Sequence, residues 1–277
     1  MNAQQPEDLA GRPRLTQTVS VLMPVYNEVA TVEEAIHEVV EARLPASIEL
    51  IVVDDGSTDG SRELLRSRDW PDNVTVLLHD RNRGKGAAVR TALGHASGDF
   101  TAIFDADLEY DPQDLAHLLE PLLAAEANAV FGIRAFAGHT SHSFLYVLGN
   151  RAVTLVCNVL FNVYIGDIMT CQKAIETQLF KSLNVRANGF TIEPEITARL
   201  LQARERIFEV PVRYRARTRS EGKKLTARDG LLVVGTLLRC RFIPSPATPR
   251  ARRAVSLPAI ARRRLERRRA RRERVPR

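Results

Sequence analysis

The sequence predicts an α/β protein: a single domain with a mostly parallel sheet, helices on both faces and a basic C-terminal tail. Three observations predict it. Short apolar runs rich in β-branched residues recur along the chain, as strands buried on both faces require. Segments with helical apolar spacing alternate with them. The 277 residues, 44% hydrophobic and 26% charged, are an ordinary globular composition with length enough for a large domain.

The elements follow in order. Residues 1–18 are polar, carry Pro6, Gly11 and Pro13, and read as a flexible start without the apolar core of a secretory leader. Val19–Met23 is the first strand, and Val29–Ala42 a helix with Glu33, Glu34 and Glu38 on its wet side. Ile48–Val53 is the second strand, Asp59–Arg66 a helix capped by Thr58 or Asp59, and Val74–Leu78 the third strand. Gly86–Ala96, Phe100–Phe104 and Pro112–Ala124 continue the alternation, the last entered through Asp111-Pro112. Ala129–Ile133 is another strand, and Gly138 to Ser143 a mobile loop.

Phe144–Ile165 has polar residues at 150, 154, 158 and 162, a row at i+4 spacing, and reads as a long amphipathic helix. Its interior polar residues exclude a membrane span. Thr191–Ala203 is a helix, Arg206–Tyr214 a strand, and Asp229–Cys240 an apolar helix that ends a domain running from 19 to 243. Residues 244–277 form an arginine-rich tail, disordered or lying as a helix on a membrane surface.

Charge is divided unevenly. Residues 250–277 hold thirteen Arg against two Glu, a net +11, so the remainder carries −4 beneath an overall +7. That split disfavours a globally basic nucleic-acid-binding domain. Cys157, Cys171 and Cys240 are odd in number without a C-x-x-C pair, which argues against a disulfide framework or a four-thiolate zinc site and suits a reducing cytosol.

Acidic residues collect after predicted strands: Glu28 after the first, Asp54 and Asp55 after the second, Asp105, Asp107 and Glu109 after the fourth. In open parallel sheets ligands bind at that edge. Converging carboxylates repel one another unless a cation or a donor group lies between them. Asp105-x-Asp107 suits Mg²⁺ or Mn²⁺ shared with substrate phosphates, and Glu109 is a third possible oxygen donor. An ionised Asp55 accepts from ring N–H groups such as those of uracil or guanine. Turn and capping chemistry is the alternative for each pair, and one of Asp54 and Asp55 is expected to do only that. Arg83-Gly84-Lys85-Gly86 departs from a phosphate loop, having His79 and Gly86 where Gly and Ser or Thr are required; no G-x-G-x-x-G follows the first strand, which argues against a dinucleotide dehydrogenase. Gly84 and Gly86 instead allow a tight turn into the third helix.

Taken in order, Val21-Leu22-Met23-Pro24-Val25-Tyr26-Asn27-Glu28, Val53-Asp54-Asp55-Gly56-Ser57-Thr58-Asp59-Gly60, Arg81-Asn82-Arg83-Gly84-Lys85-Gly86 and Asp105-Ala106-Asp107-Leu108-Glu109 resemble a family 2 glycosyltransferase of GT-A fold. The likeness is particularly to dolichyl- and polyprenyl-phosphate sugar synthases, over about Val19 to Cys240. The resemblance implies a nucleoside pocket at Pro24, Tyr26, Glu28, Val53 and Asp55, with Asp55 on the base. It implies a diphosphate and metal site at Asp105, Ala106 and Asp107, with Glu109 on the metal side and Mg²⁺ or Mn²⁺ as cofactor. Arg134 looks like an arginine that contacts the donor. Arg217, Lys223 and Lys224 resemble a basic loop over phosphates, whose charges stabilise a leaving diphosphate. Asp167 falls where such enzymes often place an acidic residue near the acceptor. It is a base if the acceptor is a hydroxyl, and only a positioning group if the acceptor is an anionic lipid phosphate. Glu193 and Glu195 are further candidates, Glu195 being the one expected to face inward.

The implied reaction is inverting, metal-dependent transfer of a sugar from a UDP- or GDP-sugar to a polyprenyl phosphate. A hydroxyl on a soluble or glycan acceptor is the alternative. An inactive fold that recruits membrane or RNA through its tail is the non-enzymatic one. The expected location is cytoplasmic, peripheral on the inner face of the cell membrane, with the Phe144–Ile165 helix and the arginines facing an anionic surface.

Overall fold

Strict alternation within the apolar runs is what lets one sheet carry two cores. In β1 (Thr18–Val25), Val19, Val21 and Met23 enter one apolar cluster while Leu22 enters another. In β2 (Ser47–Asp54), Leu50 and Val52 take the first side, Ile51 and Val53 the second. Successive strand side chains point to opposite faces, so both sides must be covered. The computed structural model describes residues 17–134, 144–217 and 227–243, and the helices are distributed accordingly. Helices α1 (Val32–Glu41) and α4 (Leu115–Leu123) cover one face, α3 (Lys85–His95), α6 (Thr177–Ser182) and α7 (Ile192–Gln202) the other. Val32, Ala35, Ile36 and Val39 show why α1 is a helix: their spacing makes one buried stripe.

Seven strands stand in the order β3-β2-β1-β4-β6-β5-β7. The remaining strands are β3 (Val74–Leu78), β4 (Phe100–Ile103), β5 (Ala129–Arg134), β6 (Lys173–Glu176) and β7 (Ile207–Val212). All run parallel except β6, which pairs antiparallel with both β4 and β5. Because β6 is reversed, its start lies at the edge where the other strands end. The segment before it therefore joins Glu28, Asp55, Asp105 and Arg134 at one rim.

Several boundaries differ from expectation for local reasons. Helix α2 (Ser61–Ser67) starts after Gly60, which is left-handed at φ 104°, while Asp59 accepts from the Ser61 N–H and hydroxyl rather than acting as Ncap. The Pro112 segment opens as a 3₁₀ turn, Pro112–Asp114, before α4. Helix α5 (Phe144–Phe161) stops short of Ile165 because Asn162 is left-handed and Val163 N–H closes onto Asn158 O. Its polar row faces inward: Thr154 is buried, and the Asn158 amide bonds both Ile165 N–H and Ile165 O. The exposed face is largely apolar, with Phe144, Leu148, Leu155 and Val159, and carries Arg151 among them. Helix α8 (Ala227–Phe242) packs against α5 and α7. Among the described residues, no helix is long and apolar enough to cross a membrane.

Candidate active site

The strands that end at the rim contribute polar groups there; those after β1, β4, β5 and β7 meet in three clusters, and Asp55 and His79, after β2 and β3, stand apart from them. The first surrounds Arg217, just beyond β7. Its guanidinium meets Glu28 Oε2 at 2.9 Å and Asp107 Oδ2 at 3.3 Å, and its main-chain N–H donates to Glu109 Oε1 at 2.8 Å. The Tyr214 hydroxyl donates to the other Glu109 oxygen at 2.7 Å. One arginine thus ties together acids that follow β1 and β4.

The second cluster is a buried ladder of alternating charge. Lys85 Nζ, at the start of α3, lies 2.8 Å from Asp105 Oδ2, 3.1 Å from Glu193 Oε1 and 3.0 Å from Cys171 Sγ. Lys173 Nζ lies 2.9 Å from Glu193 Oε2 and donates to the carbonyls of Ile168 and Thr170. Burial works against the Lys85 charge, yet Asp105, Cys171 and Glu193 hold its ammonium well above the ordinary lysine value. Burial pushes the Cys171 thiol up, so it stays protonated.

The third cluster joins β5 to the segment before β6. Arg134 grips Asp167 through two hydrogen bonds, Nε to Oδ2 at 2.6 Å and Nη2 to Oδ1 at 2.9 Å. Asn150 Nδ2 and the Met169 N–H, each at 3.0 Å, also donate to Asp167 Oδ1. Burial raises the Asp167 carboxyl, but the Arg134 charge and these donors outweigh it and hold it below the ordinary aspartate value. Arg134 also stacks over Tyr214, 5.1 Å from the ring centroid, which links this cluster to the first.

Asp55 is placed differently from the other acids. It is 2% exposed, accepts from the N–H groups of Arg83 (2.9 Å) and Gly84 (2.7 Å), and lies 2.7 Å from His79 Nδ1. Three of the roughly four acceptor positions of a carboxylate are therefore in use. Asp54, its neighbour, does the turn chemistry, accepting from Gly56 N–H, Ser57 N–H and Arg62. Pro24, Tyr26 and Glu28 are half-buried at the end of β1; Val53 is enclosed in the core, and Ala106 is buried with its carbonyl bonded to Thr31. Lys223 and Lys224 lie outside the described residues.

One expectation needs correction. Glu195 does not join these clusters: its Oε2 accepts from the Arg186 and Ala187 N–H groups, and Oε1 faces Arg199 and Arg239. Glu193 is the acid that reaches the rim. Glu109 has both oxygens committed to Tyr214 and Arg217, and among the described residues no three His, Cys, Asp or Glu side chains are arranged to hold an ion. Asp105 and Asp107 lie partly exposed on the turn after β4, paired with Lys85 and Arg217 respectively; two carboxylates completed by phosphate oxygens are a donor set of the kind Mg²⁺ usually takes.

Lys85, Lys173, His79 and Tyr214 were not singled out by the sequence. Lys85 alone left a signal, a lysine directly after Gly84 at the end of a strand-to-helix turn.

The chain matches the family described as Glycosyl transferase family 2 over residues 20–176. It is 30% identical over 155 residues to an undecaprenyl-phosphate 4-deoxy-4-formamido-L-arabinose transferase of Salmonella choleraesuis, covering 54% of this chain and 45% of that one. It thus spans less than half the length of that relative. Glycosyltransferase AglJ of Haloferax volcanii is 27% identical over 223 residues, 80% of this chain and 71% of the other. Among solved structures, glucosyl-3-phosphoglycerate synthase from Mycobacterium tuberculosis with Mn²⁺, UDP and glucosyl-3-phosphoglycerate is similar in fold. Its TM-score is 0.64 at 24% identity, covering 83% of this chain and 82% of that one. The same synthase crystallised with Mg²⁺ and UDP also gives a TM-score of 0.64, at 23% identity and the same coverage.

Proposed function

The chain belongs to glycosyl transferase family 2, and from that premise we propose that it transfers a sugar, with inversion, from a nucleotide-diphosphate donor to a polyprenyl phosphate. The observation that carries this reading is the state of Asp167. A carboxylate held by two guanidinium hydrogen bonds, an amide and a main-chain N–H is a poor proton acceptor. A hydroxyl acceptor needs a base in the transition state; a phosphate acceptor arrives anionic and needs none. The naming of the Salmonella relative as an undecaprenyl-phosphate transferase supports the same choice.

In this reading Asp55 takes a ring N–H of the base, and Pro24, Tyr26 and Glu28 frame the nucleoside. Asp105 and Asp107 would hold Mg²⁺ or Mn²⁺, which when bound neutralises charge on the leaving diphosphate. Lys85 and Arg217 orient those carboxylates and add positive charge where the leaving group develops its negative charge. Lys223 and Lys224, outside the described residues, would add positive charge for the phosphates. Arg134, fixed by Asp167, contacts the donor beside the point where the acceptor phosphate meets the anomeric carbon. A phosphate oxygen forms the new C–O bond as the bond to the diphosphate breaks, and the nucleoside diphosphate departs with the electron pair.

The acceptor lipid would be met at the inner face of the cell membrane. The apolar faces of α5 and α8, joined by Arg239 and Arg241 in the last turn of α8, support a peripheral site on an anionic surface. The test is a panel of radiolabelled UDP- and GDP-sugars, incubated with polyprenyl phosphate and Mg²⁺ or Mn²⁺ and extracted into organic solvent. Label should enter the organic phase with one donor only when metal is present. Transfer to water-soluble hydroxyl acceptors alone would overturn the reading.

A further inference from the structure

Outside the three clusters, a concavity of about 510 Å³ opens between the loop after β3 and the flank of α3, within the size range of small-molecule sites. Arg81, Arg83 and Arg90 line it with Asn82, Thr91 and Asn188, and none of its lining residues is acidic. This is a local excess of positive charge on a body that carries net −4.

Arg81 and Arg83 are not neutralised by neighbours. Among the described residues, neither Arg81 nor Arg83 forms an ion pair, and both are exposed. Arg90 is instead fixed by neutral acceptors. It donates to the carbonyls of Gly86 and Ala187, and Nη2 reaches Asn188 Oδ1 at 2.6 Å. Ala187 is itself held by Glu195, so the misassigned glutamate braces the wall of this concavity. Burial lowers the Arg90 guanidinium from its ordinary value, Glu195 opposes that, and the like charge of Arg83 adds to it. Converging like charges around an open space favour a counter-ion within it. The Asn82 and Asn188 amides and the Thr91 hydroxyl add neutral polar groups. Thr91 Oγ1 is also 2.9 Å from His79 Nε2, whose other ring nitrogen meets Asp55.

We infer that this concavity binds a phosphate-class anion, either free phosphate or the phosphate group of a small phosphorylated molecule, outside the three clusters and next to Asp55, which the Arg83 N–H holds. Guanidinium forks recognise phosphate through paired hydrogen bonds; Arg81 and Arg83 bring two exposed forks to the opening, and Arg90, held by its neutral acceptors, adds a third positive charge.

The probe is inorganic phosphate, titrated into the full-length protein by calorimetry at constant ionic strength, with chloride as the balancing salt. Wild type should bind saturably, and Arg81→Gln/Arg83→Gln should bind at least tenfold more weakly. Both replaced side chains are exposed and make no ion pair, so the fold is retained, which circular dichroism checks. Arg90→Lys should weaken binding as well, because a lysine keeps the charge but loses the fork. A parallel titration with glycerol phosphate separates the sources: tighter binding than free phosphate assigns a phosphorylated molecule, weaker binding assigns the free ion. Absence of saturable phosphate binding by wild type, or undiminished binding by the double variant, overturns the site. Heat is read here rather than sugar transfer, so failure of the proposed reaction would leave this result standing.

Discussion

At the scale of single residues, the pairing of Asp167 with Arg134 makes two claims that can be measured. If Asp167 positions Arg134 and takes no proton, Asp167→Asn should lower kcat by less than about a hundredfold. Loss of a general base costs roughly 10²–10⁴-fold, so a fall beyond about a thousandfold would count for a hydroxyl acceptor. The second claim concerns stability. A carboxyl held below its unfolded value, about 3.9 for aspartate, contributes in full above that value and loses its contribution as pH falls through the folded one. Urea midpoints between pH 2 and 6 should therefore drop more steeply for wild type than for Asp167→Asn; parallel curves would refute the linkage. Asp105 and Asp107 were legible because a strand end followed by an acidic turn leaves a clear pattern, whereas Asp167 follows no predicted strand and was reached only through the family resemblance. Which glutamate of Glu193-Pro194-Glu195 faces the rim was not. That choice depends on Lys85 and Lys173 arriving from α3 and β6, and on the 186–187 main chain offering N–H groups to Glu195.

At the scale of elements, long-range packing decides what periodicity leaves open. The spacing in 144–165 identified a helix correctly, but not which side is wet. The row at 150, 154 and 158 is inward because Asp167 and the Ile165 main chain need those amides, which leaves the apolar row outside. Strand β6 was not foreseen, since Lys-Ala-Ile-Glu is four residues long and opens on a charge; it is a strand because β4 and β5 pair with it and Glu193 neutralises Lys173. The turn into α3 was read correctly, and its geometry is demanding. Gly84 has φ 95°, and a Cβ there would stand 2.4 Å from Asn188 O. Backbone strain of this kind costs about 1–3 kcal/mol, and the clash adds to it. Gly84→Ala should thus lower unfolding free energy by at least that amount in a denaturant titration. It should also weaken nucleotide binding, because the Gly84 N–H holds Asp55. A variant within 0.5 kcal/mol of wild type would show that the turn relaxes freely.

At the scale of the whole molecule, the distribution of apolar surface and charge describes how the protein would meet a membrane. Ten of the thirteen large exposed apolar side chains among the described residues lie on α5, on α8 or immediately beyond them, including Leu155, Val159, Leu231 and Phe242. The body is acidic on balance, whereas thirteen arginines occupy residues 250–277. An apolar face and a basic segment give binding terms with different salt dependence. Burial of apolar area is little affected by salt, whereas attraction of arginines to anionic lipid, roughly 1 kcal/mol for each near the surface, is screened over about 10 Å at 0.1 M salt. Vesicles of phosphatidylglycerol and phosphatidylcholine can separate the two in co-sedimentation. Removing residues 250–277 should weaken binding at low salt and flatten its salt dependence, leaving a smaller component that persists at high salt. Leu155→Asp/Phe242→Asp in the full chain should remove that persistent component and leave the salt-sensitive one. Binding that stays equally strong and equally salt-sensitive after truncation would refute the role of the arginines. Binding untouched by the two aspartates would refute that of the helices.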